Sequence, residues 1–600
     1  MYRGTWLLVG LPLLVAAFSV GRAEPLPAPA VPPTFEGTAA AALAKDFVDK
    51  YPERPPGSLG PAQWVAEKFA LYGFRARRQT FDDDLPGQGQ VELTNLFAVA
   101  PGPTAGSPVI VVMAHRDSSA GARGANDNAS GTAALVELAR PYARSGVGPG
   151  GSLSPAHTLV FLSTDGGASG GLGAAAFAEH PVYRDRIAAV VNLDTIGGPG
   201  SPRLVLTGDE PHSPDSTLVQ TAADRILGVS GDEPGRAPAL WQLVDLAFPF
   251  SLYEQAPFVA QGTPAVTLTT SGDRPPSPLD DSRIPSPHRL EQVGRSAQSL
   301  LSSLDEGLQL SSASRPYVYF GPRIVGGWAV ELVLIAMLAP FLAATVDLFA
   351  RLRRRRIPLG PALRSYRSRL AFWLFVGGLF ALFALLGAWP HGAARPPSPD
   401  STAAHDWRIV PLAALATLSA LAWLVPRDRL LPRRELGEED ALAGYTATLL
   451  TLGVLSLVVL ALNPFALVFV LPSLHAWLWL PQVRDRAAWA RVAVLLAGFA
   501  GPALLLGSFA LRLELGFDAL WYLLALVSVG YVTPLAVAVA LAWTAGTAQL
   551  AALAVRRYAP YPSASERPPR GPIREIVRHA VLAVRARRRV RDDEASALPG

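Results

Sequence analysis

The chain has 600 residues, 50% of them hydrophobic, and a mean hydropathy of +0.26, which excludes an ordinary soluble protein. The absence of cysteine excludes disulfides and thiolate metal sites. The net charge of +5 does not indicate nucleic-acid binding, because most arginines flank apolar segments, where they set membrane topology. We therefore predict a membrane protein with a sizeable polar domain and no nucleic-acid partner.

Residues 1–23 have the pattern of a secretory signal. Arg3 precedes an apolar run from Trp6 to Val20, which a Gly-Arg-Ala end follows. An uncleaved anchor is the alternative, and either would export the chain that follows. The Pro- and Ala-rich residues 24–34 are predicted to be a linker.

Residues 35–310 have the composition of a globular α/β domain. Their patterns predict helices over 38–51, 62–72 and 289–304, and strands over 75–81, 91–99, 109–113, 157–163, 188–193 and 265–269. Alternating helices and apolar strands predict a mostly parallel sheet covered by helices on both faces. Ligands of such sheets bind beyond the carboxyl ends of the strands.

One strand end carries residues that suit a metal. His115 and Asp117 follow the strand over 109–113, and Asp127 opens a helix after a glycine-rich loop. A histidine and an aspartate about a dozen residues apart at a strand end suit a divalent ion such as zinc. The alternative is that Asp127 only caps the helix, where aspartate is a favoured residue. Asp194 ends a later strand and is also followed closely by glycine.

The same segment resembles the signature of a known family. It reads His115-Arg-Asp and then, from Gly124, Gly-Ala-Asn-Asp-Asn-Ala-Ser-Gly-x-Ala-x-Leu-x-Glu-Leu-Ala-Arg. This is similar to the di-zinc aminopeptidase family, which includes secreted bacterial aminopeptidases, glutamate carboxypeptidases and the transferrin-receptor ectodomain. An earlier order of helix, Arg-Pro-x-Gly-Ser, helix, Tyr-Gly-Phe, strand and Asn-Leu resembles the opening of that family. The resemblance implies a zinc-aminopeptidase-like fold for nearly the whole domain.

The resemblance implies that one zinc half-site is retained. In active members two zinc ions share one aspartate, and Asp127 matches that position. His115 and Asp194 match the other ligands of the first zinc, and Asp117 matches the carboxylate that orients the histidine ring. Zinc is therefore the expected cofactor, with one residual site.

The resemblance also implies that the general base is missing. The family pattern Asp-Gly-Glu-Glu-x-Gly reads Asp165-Gly-Gly-Ala-Ser-Gly in this chain. Gly167 stands at the position of the general base, and Ala168 at a ligand position of the second zinc. Loss of a general base alone costs about 10²–10⁴-fold in rate.

Two further family positions are changed. Ser277 stands where the family has its last histidine ligand, if Asp281-Ser282 is matched to the family's Asp-Thr. The element that lines the substrate site in the family retains Phe258 but has Glu254 in place of its aspartate.

The rest of the chain is predicted to be an all-α polytopic membrane domain. After a connector over 311–324, residues 325–544 contain about seven apolar spans of bilayer-crossing length, near 325–350, 370–390, 408–425, 443–462, 465–481, 491–511 and 521–544. Arginine-rich segments follow the first, third and fifth spans, which places them in the cytoplasm and the α/β domain outside. The basic tail, residues 545–600, is then cytoplasmic, either on the anionic lipid surface or in solvent.

These patterns lead to two hypotheses. The first is a multi-pass cell-membrane protein whose peptidase-like extracytoplasmic domain is impaired as a hydrolase and binds a peptide or partner protein. The alternative is an active membrane-anchored zinc aminopeptidase with two zinc ions, which needs replacement residues such as Asp165, Asp280 or His288. A transporter would need a polar path through the spans, and Glu331 and His475 alone do not provide one.

Overall fold

The computed structural model describes residues 5–85, 88–143, 153–276, 285–307, 310, 315–425, 437–483 and 485–555. The strands are β1 (Val20–Gly21), β2 (Arg77–Leu85), β3 (Gly89–Ala100), β4 (Val109–His115), β5 (Thr158–Thr164), β6 (Ile187–Leu193), β7 (Arg203–Val205), β8 (Ala265–Thr269), β9 (Tyr317–Phe320) and β10 (Arg323–Gly326). The helices of the first half are α1 (Thr5–Ala17), α2 (Gly37–Lys50), α3 (Leu59–Leu71), α4 (Ala129–Ala139), α5 (Leu172–Ala178), α6 (Ser216–Ser230), α7 (Ala239–Ala247), α8 (Ala256–Ala260) and α9 (Pro287–Gly307). All the predicted strands and helices of the α/β domain are present, with bounds that differ by a few residues.

The central sheet is mixed. Its seven strands lie in the order β2-β3-β5-β4-β6-β8-β7. The inner strands β5, β4, β6 and β8 are parallel to one another, whereas β2, β3 and β7 pair antiparallel at the two edges. The prediction of a mostly parallel sheet is therefore corrected. The connection between β2 and β3 is too short for the crossover that a parallel pair requires. The antiparallel strand β7 at the other edge was not predicted.

Strand β4 divides the core into two layers. All seven of its residues are buried, and alternate side chains point to opposite faces. Ile110 and Val112 belong to the layer that includes buried residues of α2, α4, α6 and α9. Val111 and Met113 belong to the layer that includes residues of α5 and α8. The carboxyl end of β4 is thus held rigidly between two packed faces.

The second half consists of apolar helices. They are α10 (Gly327–Arg354), α11 (Gly360–Leu385), α12 (Thr402–His405), α13 (Ile409–Leu424), α14 (Glu438–Leu462), α15 (Leu467–Trp477), α16 (Ala488–Ala497), α17 (Ala500–Arg512), α18 (Asp518–Ser528) and α19 (Pro534–Val555). Among the described residues, five helices are long and apolar enough to cross a membrane, and the pair α16 and α17, bent by 54°, would make a sixth. These helices indicate membrane association.

Two of the predicted spans differ from the structure. The span expected over 465–481 is the short helical segment Pro464–Trp477, below the length of a membrane span. The single span expected over 521–544 is wrong, because α18 ends at Ser528 and α19 begins at Pro534. Gly530, with φ of +82°, lies in the break, and proline cannot continue a helix that precedes it.

The two halves meet through a second, small sheet. β10 pairs with β9 and with β1, so that residues after the apolar helix α1 lie beside the residues that lead into α10. Helix α1 packs against α10. Cleavage of the first segment stays a prediction. The tail was predicted to begin at residue 545, but α19 continues to Val555. The residues beyond 555 lie outside the described residues.

Candidate metal centre

Three side chains from the parallel part of the sheet converge at its carboxyl edge. His115 is the last residue of β4, Asp127 lies just before α4, and Asp194 follows β6. β4 and β6 are neighbouring parallel strands, so their carboxyl ends lie side by side. The exposed fractions of the three residues are 3%, 5% and 2%.

The distances within this triad suit one metal ion. His115 Nε2 lies 3.1 Å from Asp127 Oδ1 and 3.5 Å from Asp194 Oδ2. Zinc bonds of about 2.0–2.2 Å in a tetrahedral arrangement separate neighbouring ligand atoms by about 3.3–3.5 Å. One imidazole and two carboxylates are a donor set that zinc accepts. The residues present therefore fit the zinc ion that the resemblance implies.

The charge balance of the triad also favours a cation. Burial raises the pKa of Asp194, and the nearby charge of Asp127 adds to that increase. Burial alone would lower the pKa of His115, but its contacts with Asp117, Asp127 and Asp194 raise it well above the usual value. Among the described residues, Asp194 Oδ1 is buried without a hydrogen-bond partner. A bound divalent ion would compensate both the charge and the unused oxygen.

Asn128 fixes the triad and was missed by the sequence analysis. Its side-chain oxygen accepts hydrogen bonds from the N–H groups of Gly131, at 3.0 Å, and Thr195, at 3.1 Å. Its amide donates to the carbonyl of Leu193 at 2.8 Å. It therefore ties the start of α4 to the end of β6. The signal for it was present, because asparagine is a preferred residue at the start of a helix.

Asp117 lies beside the triad but its carboxylate holds a neighbouring loop. The loop of residues 165–171 follows β5, and the N–H groups of Gly167 and Ala168 donate to Asp117 at 2.9 and 3.0 Å. His115 Nδ1 is 3.1 Å from the backbone oxygen of Asp117 and 3.5 Å from its Oδ1. Asp117 thus positions both the loop and the histidine.

Gly167 packs directly against His115 of the triad. A Cβ atom built at Gly167 would lie 2.2 Å from Cβ and 2.4 Å from Cγ of His115. Real side chains do not approach so closely, so this backbone accommodates glycine and not the family's glutamate. Neither Gly167 nor Ala168 offers a proton acceptor or a metal ligand.

Asp165 is engaged in contacts outside the triad. It forms a buried ion pair with Arg116 at 2.6 Å, with side-chain exposures of 2% and 1%. Its oxygens also accept from the N–H groups of Thr94, at 3.1 Å, and Gly57, at 3.2 Å. These contacts make Asp165 a structural residue of the loop.

Of the remaining predicted site residues, Glu254 lies near the triad, since the charges of His115 and Asp194 act on its pKa. The others lie elsewhere or outside the described residues. Glu254 is 1% exposed and accepts a 2.9 Å hydrogen bond from Thr164, and burial raises its pKa to about 7. Phe258 is buried in the hydrophobic layer of α5 and α8. His288 is exposed near the start of α9. Ser277 and Asp280 lie outside the described residues.

A small cavity of about 20 Å³ lies beside the triad, and both halves of the chain line it. The first half contributes His115, Asp127, Asp194, Gly167 and Ala168, and the second half contributes Pro396, Ser398, Pro399 and Asp400. A groove of about 530 Å³ adjoins the cavity and shares Ser119, Ala168, Ser398 and Asp400 with it. The contribution of the second half to the site was not predicted from the sequence.

Known proteins resemble part of this chain. A curated relative, described as a probable zinc metalloprotease of Pyricularia oryzae (strain 70-15 / ATCC MYA-4617 / FGSC 8958), is 30% identical over 212 residues, which is 30% of this chain. The match spans only 40% of the length of that relative.

Solved structures resemble the chain over a similar region. A zinc aminopeptidase from Bacillus subtilis has a TM-score of 0.38 and 14% identity, over 48% of this chain and 98% of that protein. A glutaminyl cyclase from Porphyromonas gingivalis has a TM-score of 0.37 and 17% identity, over 45% of this chain and 98% of that protein.

The family match lies on the sheet and the triad. Residues 95–299 match the sequence profile of Peptidase family M28, a range that includes His115, Asp127 and Asp194. The chain therefore carries a domain of peptidase family M28, in agreement with its resemblance to the zinc exopeptidases.

Proposed function

We propose that this protein is a multi-pass membrane protein whose peptidase-like domain binds one zinc ion and a peptide or protein ligand, without the two-zinc hydrolysis of active relatives. One observation carries the proposal. The triad of His115, Asp127 and Asp194 is assembled and buried, while the adjacent loop has Gly167 and Ala168 where the family has glutamates.

The residues of the site have two roles in binding, since some would hold the ion and others position those ligands. His115, Asp127 and Asp194 would hold the ion, and Asp117 and Asn128 keep two of them in place. Zinc, when bound, supplies a Lewis acid that polarises a carbonyl or a water molecule. Gly167 cannot take a proton from that water, which removes the ordinary route to a nucleophile.

The groove suits an extended peptide. Its lining includes several small hydroxyl side chains from both halves, namely Ser118, Ser119, Ser169, Ser398, Ser401 and Thr402. Hydroxyl groups both donate and accept hydrogen bonds, so they can pair with the N–H and C=O groups of a peptide backbone. Because the groove leads to the metal cavity, one end of such a peptide would reach the zinc ion.

We also propose that the α/β domain lies outside the cytoplasm. The apolar helices of the second half would then contact lipid. α10 begins at the side of the α/β domain and ends at Arg354, within an arginine-rich segment. α17 runs in the opposite sense and ends at Arg512, which pairs with Asp245 of the domain at 2.6 Å. Arginine-rich segments at the helix ends far from the domain support a cytoplasmic face on that side.

Metal content of the full chain in detergent tests the proposal. We expect one zinc per chain in the wild type and none after His115→Ala, with full retention after His288→Ala, which removes an exposed histidine outside the triad. Hydrolysis of aminoacyl amides should stay at the level of the His115→Ala variant. Two zinc ions per chain, or hydrolysis that disappears in Asp127→Ala, would instead support the active aminopeptidase.

A further inference from the structure

The loop between α11 and α12 reaches from the second half of the chain onto the metal site. We call its residues 393–401 the strap. The N–H of Ala393 donates to the carbonyl of Asp84 at 2.7 Å, and Tyr522 donates to the carbonyl of Pro397 at 2.7 Å. The strap is therefore fixed both to the α/β domain and to the helices.

The strap lies directly on the loop that lacks the glutamates. Arg395 Nε donates to the carbonyl of Gly170 at 2.7 Å, and its guanidinium forms an ion pair with Asp209. A Cβ atom at Gly170 would lie 2.7 Å from the carbonyl oxygen of Pro396. Gly170 also has φ of +95°, so glycine is needed there for its backbone as well as for this close approach.

The strap brings one carboxylate to the metal cavity. Asp400 lines the cavity together with His115 and Asp127. Arg274 holds Asp400 through an ion pair in which the side-chain exposures are 12% and 19%, and Arg274 also donates to the carbonyl of Leu513 at 2.9 Å. The charge of Asp127 acts on Asp400 and, after burial, contributes to raising its pKa. Asp400 is thus a fixed, partly buried carboxylate opposite the triad.

Asp400 is placed to act on what the metal binds, and not to bind the metal itself. The side chains whose ligand atoms all lie within 4.8 Å of one another are His115, Asp127 and Asp194, and Asp400 is not among them. It faces the same space from the strap. A carboxylate in that position accepts hydrogen bonds from protic groups, such as water or the N–H of a peptide.

We propose that Asp400, supplied by the membrane-associated half, is a positioning residue of the proposed zinc site. Its carboxylate would accept a hydrogen bond from a water molecule or a peptide N–H held in the cavity beside the triad. This inference rests on the one-zinc site proposed above. It implies that the two halves of the chain together supply the residues of the site.

Zinc affinity of the full chain in detergent, measured by competition with a chelating dye, tests the role of Asp400. Loss of a residue that orients groups around a metal lowers affinity by about 10–100-fold, and we expect a decrease in this range for Asp400→Asn. Asp400→Glu should recover part of the affinity. Asp209→Asn is the matched control, because it also removes a carboxylate that pairs with an arginine at the strap, yet does not line the cavity.

Cobalt provides a second measurement that a merely structural role would not change. The visible absorption of bound Co²⁺ depends on its ligands and on the water they hold, so the spectrum of Asp400→Asn should differ from those of the wild type and Asp209→Asn. Equal zinc affinity and equal spectra for Asp400→Asn and the wild type would overturn the inference and leave the one-zinc site intact. Equal weakening by both asparagine variants would assign the effect to strap docking and would also overturn it. A wild type without zinc would refute the proposed function as well.

Discussion

Two neighbouring parts of one sheet edge differ in how closely their residues match the family pattern. At the ends of β4 and β6, the chain retains a histidine and two aspartates that converge within hydrogen-bond distance. At the end of β5, the loop 165–171 has retained its glycines and its aspartate but carries no acidic side chain at residues 167 and 168. The two parts touch, because Gly167 packs on His115. The contact means that the loop supports the triad even though it supplies no ligand.

The retained residues of the loop explain why it keeps its form. Asp165 pairs with the buried Arg116, and Asp117 accepts two N–H groups of the loop. These contacts are structural and do not require catalysis. A family residue that persists in this chain is therefore not by itself evidence of hydrolysis, and metal binding and hydrolysis have to be tested separately.

The largest effect is expected from the ion pair under the loop. Asp165→Ala leaves Arg116 buried without its carboxylate, which destabilises a protein by about 3–5 kcal/mol. Thermal unfolding should then begin at least about 6 °C lower, since each kcal/mol shifts the midpoint of a domain of this size by about 2–4 °C. The control is Asp185→Ala, whose side chain is 88% exposed. If Asp165→Ala melted with the wild type, the loop would not depend on this pair.

A smaller effect, confined to one pH range, is expected from Glu254. Burial raises its pKa to about 7, so the folded chain holds this proton at a pH where the unfolded chain has released it. Stability from Glu254 is therefore present at low pH and is lost as pH rises from about 4.5 to 7, by about 3 kcal/mol. Glu254→Gln, which keeps an acceptor for Thr164, should flatten the melting temperature over that range. Parallel pH curves for the two proteins would contradict the expectation.

Removal of metal should change the melting temperature through the triad and not through the loop. At free zinc of 100 times the dissociation constant, binding to the folded state stabilises it by about 2.7 kcal/mol. A chelator should therefore lower the melting temperature of the wild type and leave His115→Ala unchanged. Ala168→Ser, in the loop, should respond to the chelator as the wild type does. A chelator effect of equal size in His115→Ala would place the metal elsewhere.

The parts of the molecule differ in how far the sequence predicts them. The strands follow from local patterns, because apolar runs and glycines are read over a few residues. The resemblance to the zinc-aminopeptidase family was needed to group Asp194 with His115 and Asp127. The edge strand β7 has only three residues, Arg203–Val205, and offers no such pattern. The span predicted over 521–544 failed because overall hydropathy conceals the break at Gly530.

Local patterns could not predict that residues of the second half line the cavity beside the triad. Asp400 is separated from Asp127 by more than half the domain and several helices, and it arrives at the cavity through tertiary packing alone. The prolines around it read as an ordinary loop. The steric role of Gly167 was equally hidden, because a sequence shows that glutamate is absent but not that the backbone lies against His115.

The smallest effect is expected from Gly167, and it separates two explanations for the missing glutamates. If the loop is held in place against the histidine, Gly167→Ala forces the two Cβ atoms, 2.2 Å apart as built, to separate. Overpacking of this kind costs about 1–3 kcal/mol, and the displaced imidazole should also weaken zinc binding. Ala168→Ser, one residue along and partly exposed, should change stability by less than about 0.5 kcal/mol. If Gly167→Glu instead folded and bound zinc as the wild type does, the loop would be free to relax. The backbone would then accept the family's glutamate, and only the side chain at residue 167 would differ from the family. The measurements are the melting temperature and the zinc affinity of the full chain in detergent.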